Sequence, residues 1–124
     1  GPVQSSTFGD TVADAYGTIT PSGIRQLLAR LEVDGSDVFT DVGSGIGNVV
    51  LQVYCNTPVR RARGIEFVRS RHASAVRHLE EFKRRFRTDP DREVVLVNGD
   101  ATREDYSDST IVFASSTCFG RKLV

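Results

Sequence analysis

Three glycines alternate with two other residues in the segment DVGSGIG, which spans positions 41–47. Gly43, Gly45 and Gly47 stand between two apolar runs, and an acidic residue, Asp41, precedes them. Glycine alternation at the junction of a strand and a helix indicates that the backbone comes close to a ligand. Dinucleotides, phosphates and methyl donors are all bound by glycine loops, so the spacing must decide among them.

The spacing excludes the two phosphate-binding motifs. A dinucleotide fingerprint, G-x-G-x-x-G, would place its last glycine at position 48, where this chain has Asn48. A P-loop requires a lysine after its second glycine, and residues 39–53 contain none. Asp41 would also repel a pyrophosphate at a helix N-terminus, whereas it would attract an ammonium group. S-adenosyl-L-methionine carries an ammonium group and no phosphate, and we therefore interpret the loop as a site for this methyl donor.

Two further acids follow predicted strands and support this interpretation. Glu66 ends the second strand, where a carboxylate can accept both ribose hydroxyls. Asp100 follows the third strand and is placed to accept from the adenine amino group. Strand-end acids are often only turn-formers or caps. Three of them at successive strand ends, one beside a glycine loop, favour a ligand site.

Alternating apolar patterns predict the elements that position these residues. Helices are expected in TPSGIRQLLARLEV, IGNVVLQVYC and SRHASAVRHLEEFKRRF, with Ala73, Val76, Leu79, Phe82 and Phe86 on one apolar stripe of the third. Strands are expected in SDVFTDV, RARGIEFV, EVVLVNGD and TIVFASSTCF. This order predicts an α/β fold with a doubly wound, mostly parallel sheet and helices on both faces.

Composition narrows the class of protein. The 124 residues suit one domain, and 39% are hydrophobic, which is enough for a core. Sixteen basic residues balance sixteen acidic ones, although residues 60–92 hold eleven basic and five acidic residues. Cys55 and Cys118 lack zinc-ligand spacing, so we expect no metal site and a reduced intracellular chain. No apolar run is long enough to span a bilayer.

Five segments in order resemble the non-SET histone lysine methyltransferases of the disruptor-of-telomeric-silencing type. They are YGTITPSGIRQLL (16–28), DVFTDVGSGIGNVVLQV (37–53), ARGIEFV (62–68), VNGDA (97–101) and VFASSTCFG (112–120). The glycine segment alone is typical of any class I, Rossmann-like methyltransferase. The NVVLQ extension and the upstream Tyr-Gly-x-x-Thr narrow the resemblance to this family.

The resemblance implies a set of cofactor-binding residues. Those expected to fold over the methionine end of S-adenosyl-L-methionine are Tyr16, Gly17, Thr18 and Ile19. Those expected to hold that end from below are Asp41, Gly43, Ser44, Gly45, Gly47 and Asn48. Glu66 would bind the ribose, and Asp100 with Ala101 the adenine. Ser115 and Ser116 occupy the position of the substrate channel and are the candidate catalytic residues.

The chain departs from the family pattern at four of these positions. Thr18 replaces a glutamate, and Ala101 replaces an aromatic residue that would stack on adenine. Ser115-Ser116 replaces a pair of asparagines, while Phe119 and Phe113 are candidates for the channel lining, Phe113 being more typical of a core residue. The leading Gly-Pro resembles a remnant of tag removal, so we expect residues 1–15 to be remnant and flexible lead-in. Residues 16–124 are expected to form a methyltransferase core that lacks its last strands.

The resemblance implies a histone lysine N-methyltransferase that uses S-adenosyl-L-methionine and acts on a core histone in nucleosomes, in the nucleus. Two alternatives remain open: a class I methyltransferase for another protein lysine or a small molecule, and an inactive cofactor-binding regulatory module. No Ser-His-Asp triad is required for methyl transfer, and His72 and His78 are expected on the surface.

The third predicted helix carries a basic block that could touch nucleosomal DNA or form an ordinary solvated face. Its members are Arg69, Arg71, Arg77, Lys83, Arg84, Arg85 and Arg87.

Overall fold

A computed structural model describes residues 21–114 and 120–121 of the chain. The helices are α1 (Pro21–Leu31), α2 (Asn48–Asn56) and α3 (Arg69–Arg85), with a short 3₁₀ turn at Ala101–Arg103. The strands are β1 (Val38–Val42), β2 (Arg61–Glu66), β3 (Glu93–Asn98), β4 (Ile111–Ala114) and β5 (Gly120–Arg121). None of the helices in the described part of the chain is long and apolar enough to cross a membrane.

The strands form one sheet in the order β3-β2-β1-β4-β5. The first four are parallel, and the short β5 pairs with β4 in the antiparallel direction. The chain winds outward from β1 to β3 and then returns to the other side of β1, so the direction of winding reverses at β1. The predicted doubly wound, mostly parallel sheet is therefore confirmed, while β5 was not predicted.

One face of the sheet is covered by the helices. Phe39, on β1, and Phe113, on β4, are buried side by side with ring centroids 6.4 Å apart. Residues of α1 and α2 join them in one apolar core, against which Phe82 of α3 also packs. Phe113 therefore belongs to the core, as its place inside a strand suggested.

The other face of the sheet is covered by a loop instead of a helix, and it carries two arginines beside buried residues such as Val38 and Ile65. Ala62 faces the core, so its neighbours Arg61 and Arg63 project from the opposite face of β2. Both arginines bind residues of the segment 99–110, which connects β3 to β4. The expectation of α-helices on both faces is wrong for the described residues, because this connection forms only a 3₁₀ turn and a loop.

The apolar stripe predicted on the third helix is only partly buried. Within α3 only Ala75 is fully buried, and Phe86, which ends the helix, is 58% exposed. The reason is that α3 packs over β3, an edge strand whose own residues are only partly covered. Periodicity identified the helix correctly but overstated the apolar surface that it covers.

Candidate functional site

The candidate site lies at the carboxyl ends of β1 and β2, beside the point where the winding reverses. Open α/β sheets bind ligands at such a point. Asp41 pairs in register with Gly64, and Glu66 follows Gly64 on the same face of the sheet. The sheet thus brings two of the predicted acids together on its helix-covered face.

The glycine loop crosses over the end of β2 between β1 and α2. The backbone N–H groups of Gly43 and Ser44 both donate to the carbonyl oxygen of Ile65, at 2.8 and 3.0 Å. Gly43, Gly45 and Gly47 all have positive φ, at 78°, 57° and 89°. Gly47 caps α2, which begins at Asn48, an exposed residue. This conformation favours glycine, so the alternation is a requirement of the turn itself.

Two of these glycines have different surroundings. A Cβ atom added at Gly47 would lie 3.3 Å from the Cβ atom of Ala75, so the loop packs closely against α3 there. A Cβ atom added at Gly45 would meet nothing within 4 Å. Gly45 therefore faces open space, and it is the position in the loop where a ligand could approach the backbone.

Gly64 supports the loop from inside the sheet. A Cβ atom there would lie 2.8 Å from both Cβ and Oγ of Ser44 and 2.9 Å from a methyl carbon of Val50. Ser44 is buried, and its side chain occupies the space above Gly64. Gly64 was missed in the sequence, although a glycine inside a strand often marks a close approach of another part of the chain.

Glu66 fixes the position of the loop through its carboxylate. Its Oε1 atom accepts a hydrogen bond from the N–H of Gly45 at 2.6 Å, and its Oε2 atom accepts one from Val68 at 2.9 Å. The residue is only 5% exposed. Each carboxylate oxygen has a second lone pair, so Glu66 retains capacity for ligand hydroxyls.

Replacing Glu66 by glutamine is expected to lower the free energy of unfolding by about 2 kcal/mol, because the new amide group would face a backbone donor. Urea unfolding at neutral pH measures the change. Glu93→Gln is the matched control, since Glu93 is exposed and bonds only to Arg61 at 2.6 Å among the described residues. The Glu93→Gln variant should lose less than about 1 kcal/mol of its free energy of unfolding. Equal losses in the two variants would contradict the anchoring role of Glu66.

Asp41 is a buried acid that lacks a full set of partners. It is 1% exposed, and its Oδ1 atom has no hydrogen-bond partner among the described residues. Burial, and secondarily the negative charge of Glu66, raises the pKa of the Asp41 carboxyl to about 8. Buried polar atoms are normally hydrogen-bonded, so this oxygen is suited to a donor from outside. A positively charged donor would also offset the cost of burying the carboxylate.

Asp100 begins the 3₁₀ turn that follows β3. Its Oδ1 atom accepts from the N–H and the hydroxyl of Thr102, at 2.9 and 2.7 Å. These bonds lower the pKa of the Asp100 carboxyl. Asp100 thus acts as a cap, the ordinary role of a strand-end acid, and its Oδ2 atom lies 3.7 Å from the Arg103 guanidinium. The turn adjoins Glu66, because the N–H of Gly99 donates to the Glu66 carbonyl.

A sequence profile of the family described as histone methylation protein DOT1 matches residues 6–123. The chain belongs to this family. The resemblance that the five segments indicated is therefore confirmed.

Two curated DOT1 relatives are named histone-lysine N-methyltransferase, H3 lysine-79 specific. The Drosophila melanogaster protein is 31% identical over 118 residues, which cover 86% of this chain. The Dictyostelium discoideum protein is 28% identical over 117 residues, which cover 89% of this chain. In each case the match covers 6% of the relative, so this DOT1 chain spans a small part of those proteins.

Solved structures identify the fold. One is an RNA methyltransferase from Salinibacter ruber in complex with S-adenosyl-L-homocysteine, with a TM-score of 0.61 and 27% sequence identity. The match covers 73% of this chain and 55% of the Salinibacter chain. Another is a candidate S-adenosyl-L-methionine-dependent methyltransferase from Methanococcus maripaludis, with a TM-score of 0.63 and 15% sequence identity. The match covers 90% of this chain and 48% of the Methanococcus chain. The DOT1 chain thus has the Rossmann-like fold of class I methyltransferases, as predicted.

Several predicted site residues lie outside the part of the DOT1 chain that the structure describes. They are Tyr16, Gly17, Thr18, Ile19, Ser115 and Ser116. Phe119, predicted to line the substrate channel, also lies outside it.

The structure adds a contact that sequence reasoning did not find. His78, on α3, is exposed as expected, but its Nδ1 atom lies 3.0 Å from the carbonyl oxygen of Ile46 in the glycine loop. Together with Ala75 it attaches the loop to α3. No sequence signal links the two positions, because the contact depends on how α3 lies over the sheet. Among the described residues, no cluster of three or more His, Cys, Asp or Glu side chains could hold a metal ion.

Proposed function

We propose that this chain binds S-adenosyl-L-methionine at its glycine loop and that the protein methylates a lysine of a core histone in nucleosomes. Membership of the DOT1 family supports the reaction, and the names of the relatives support the histone substrate. The observation that carries the proposal is the buried Asp41 carboxylate, whose Oδ1 atom has no partner among the described residues. The nucleus is the compartment where such a substrate is found.

In this proposal each part of the site binds one part of the cofactor. Asp41 receives the ammonium group, and the open face of the loop at Gly45 admits the methionine end. Glu66 accepts from the ribose hydroxyls, and Asp100 with Ala101 lies at the adenine. The remaining proposed contacts come from Gly43, Ser44, Gly47 and Asn48 in the loop and from residues 16–19.

When bound, the cofactor supplies a methyl group on a positively charged sulfur. The protein's part is to orient the lysine amine in line with that group and to exclude water. The amine must be neutral, and an apolar channel favours the neutral form by lowering its pKa. We assign the mouth of this channel to Ser115, Ser116 and Phe119.

We also propose that α3 contributes to nucleosome binding through DNA. In the structure Glu81 forms ion pairs with Arg84 and Arg85, which removes two cations from the predicted block. Five of its cations form no ion pair within the described residues: Arg69, Arg71, Arg77, Lys83 and Arg87. These five are the proposed phosphate contacts, and a patch of basic residues of this kind binds DNA without reading its sequence.

Calorimetry tests the cofactor proposal directly. The chain is titrated with S-adenosyl-L-homocysteine, the demethylated product, and separately with NAD⁺ and ATP. We expect binding of the first ligand only, because the loop spacing and Asp41 disfavour a pyrophosphate. Failure to bind the first ligand, or equal binding of NAD⁺, would overturn the proposal.

Methyl transfer by the full-length protein tests the substrate. Transfer of labelled methyl groups is compared on nucleosomes, free histones and a cell extract without histones. We expect labelling of a histone in nucleosomes. Labelling confined to other proteins or small molecules would favour a different class I methyltransferase, and cofactor binding without any transfer would favour an inactive regulatory module.

A further inference from the structure

Strand β2, which lies between β1 and β3, presents two arginines to the second face of the sheet. Arg63 is the more enclosed, with a side chain that is 12% exposed. Its Nη2 atom donates to Oε1 of Glu104 at 2.7 Å, and its Nη1 atom donates to the carbonyl oxygen of Asp105 at 2.8 Å. Its guanidinium carbon also lies 5.8 Å from the centre of the Tyr106 ring. Three consecutive residues of the loop after the 3₁₀ turn are therefore held by one side chain.

Two of the residues that Arg63 holds also contact the neighbours of Asp100. A Cβ atom added at Gly99 would lie 2.8 Å from the other oxygen of Glu104, so this carboxylate fills the space beside the residue that precedes Asp100. The Tyr106 hydroxyl donates to the carbonyl of Ala101, the residue that follows Asp100. Both neighbours of Asp100 are thus positioned by residues that Arg63 holds.

We propose that Arg63 is a positioning residue that makes the site selective for a 6-aminopurine over a 6-oxopurine. The inference rests on the proposed function, in which Asp100 accepts from the adenine amino group. A 6-oxopurine would place a carbonyl oxygen against that carboxylate, so two acceptors would face each other. The discrimination requires that the Asp100 carboxylate stay at a fixed distance from the base, and the Arg63 contacts fix it.

Arg61 provides a matched control on the same face of the same strand. It forms ion pairs with Glu93 and Asp108, both at 2.6 Å, and its side chain is 27% exposed. Among the described residues these partners lie outside the turn that contains Asp100. Removing Arg61 should therefore break ion pairs on this face of the sheet without moving Asp100.

The test compares the affinities of S-adenosyl-L-homocysteine and its inosine analogue, S-inosylhomocysteine, by calorimetry on the full 124-residue chain. The unsubstituted chain should prefer the adenosine compound by roughly 10- to 100-fold, the worth of one hydrogen bond to a charged group. Arg63→Gln should reduce this preference to about threefold or less, and Arg63→Lys should restore part of it. Arg61→Gln should keep the full preference.

Tyr106→Phe is the second variant, which removes only the hydroxyl that binds Ala101 and leaves every charge in place. It should reduce the preference less than Arg63→Gln does, and it decides the question if Arg63→Gln does not fold. Equal weakening of both ligands, with the preference unchanged, would show that Arg63 only stabilises the loop and would overturn the inference. Binding of neither ligand by the unsubstituted chain would overturn the proposed function and this inference with it.

Discussion

Replacing Asp41 by asparagine should weaken the binding of S-adenosyl-L-homocysteine by roughly 100-fold or more, because a buried positive group then loses its counter-charge. The same substitution should stabilise the unliganded chain at alkaline pH. Asp41 is 1% exposed, and without a ligand its ionised form is a buried charge that is costly to maintain. One change is thus expected to raise stability at alkaline pH and to weaken the proposed binding.

The effect of Asp41 on stability should depend on pH. The pKa of its carboxyl is about 8 in the folded chain, against a usual value of 3.8. Between these values the folded chain binds more protons than the unfolded chain, so the free energy of unfolding falls as the pH rises. Asp41→Asn should flatten this decline and should gain on the order of 2 kcal/mol over the unsubstituted chain at pH 9. Urea unfolding at several pH values measures both effects.

Binding should also release a proton. At pH 6.5 Asp41 carries a proton in the folded chain, and an incoming ammonium group favours its ionised form. Calorimetry in buffers of different ionisation enthalpy should detect close to one proton released per ligand, and none for Asp41→Asn. Asp108→Asn, which removes an exposed partner of Arg61, should behave like the unsubstituted chain. Unchanged affinity in Asp41→Asn would contradict the ammonium site.

Among the substitutions proposed, Gly64→Ala should lower the free energy of unfolding most, by about 3 kcal/mol. The new methyl group would lie 2.8 Å from Ser44 and 2.9 Å from Val50. Neither contact can relax easily, because β2 is hydrogen-bonded on both sides, to β1 and β3. Ser44 would be pushed outward together with the glycine loop, so ligand affinity should fall as well.

Gly45→Ala is the control that separates the two effects. Its methyl group would meet nothing within 4 Å, and at a φ of 57° its stability cost should be only about 1–2 kcal/mol. Its ligand affinity should nevertheless fall at least tenfold if the open space beside Gly45 is the ligand's, since a close contact is then blocked. Urea unfolding and calorimetry on both variants provide the comparison. A stability loss in Gly64→Ala no greater than that in Gly45→Ala would contradict the packing argument.

The sequence was sufficient to predict the four parallel strands, the glycine loop and the order of these elements, because each depends on local pattern. Asp41 and Glu66 could be placed together, since parallel strands end at the same edge. The structure then supplied what spacing cannot: Glu66 also holds the N–H of Gly45, and Asp100 caps its own turn.

Features that depend on distant contacts could not be predicted. The sequence placed RAR in the second strand, but it could not show that Arg61 and Arg63 bind residues more than 30 positions away. Phe86 matched the helical period of α3, yet it is 58% exposed because the edge strand offers little surface. A residue's type and spacing determine which face of an element it occupies, but the neighbouring element determines whether that face is covered.

The unequal faces of the sheet have a consequence for how the chain opens. The glycine loop is attached to the apolar core, so the amides of Gly43 and Ser44 are exposed only when that core is disrupted. The turn with Asp100 is attached through a part-buried ion pair and hydrogen bonds that lie outside that core, and these can break locally while the core stays intact. The two halves of the site therefore belong to cooperative units of different stability. A bound cofactor would contact both the glycine loop and the turn with Asp100, and its adenine would be the first part to be released.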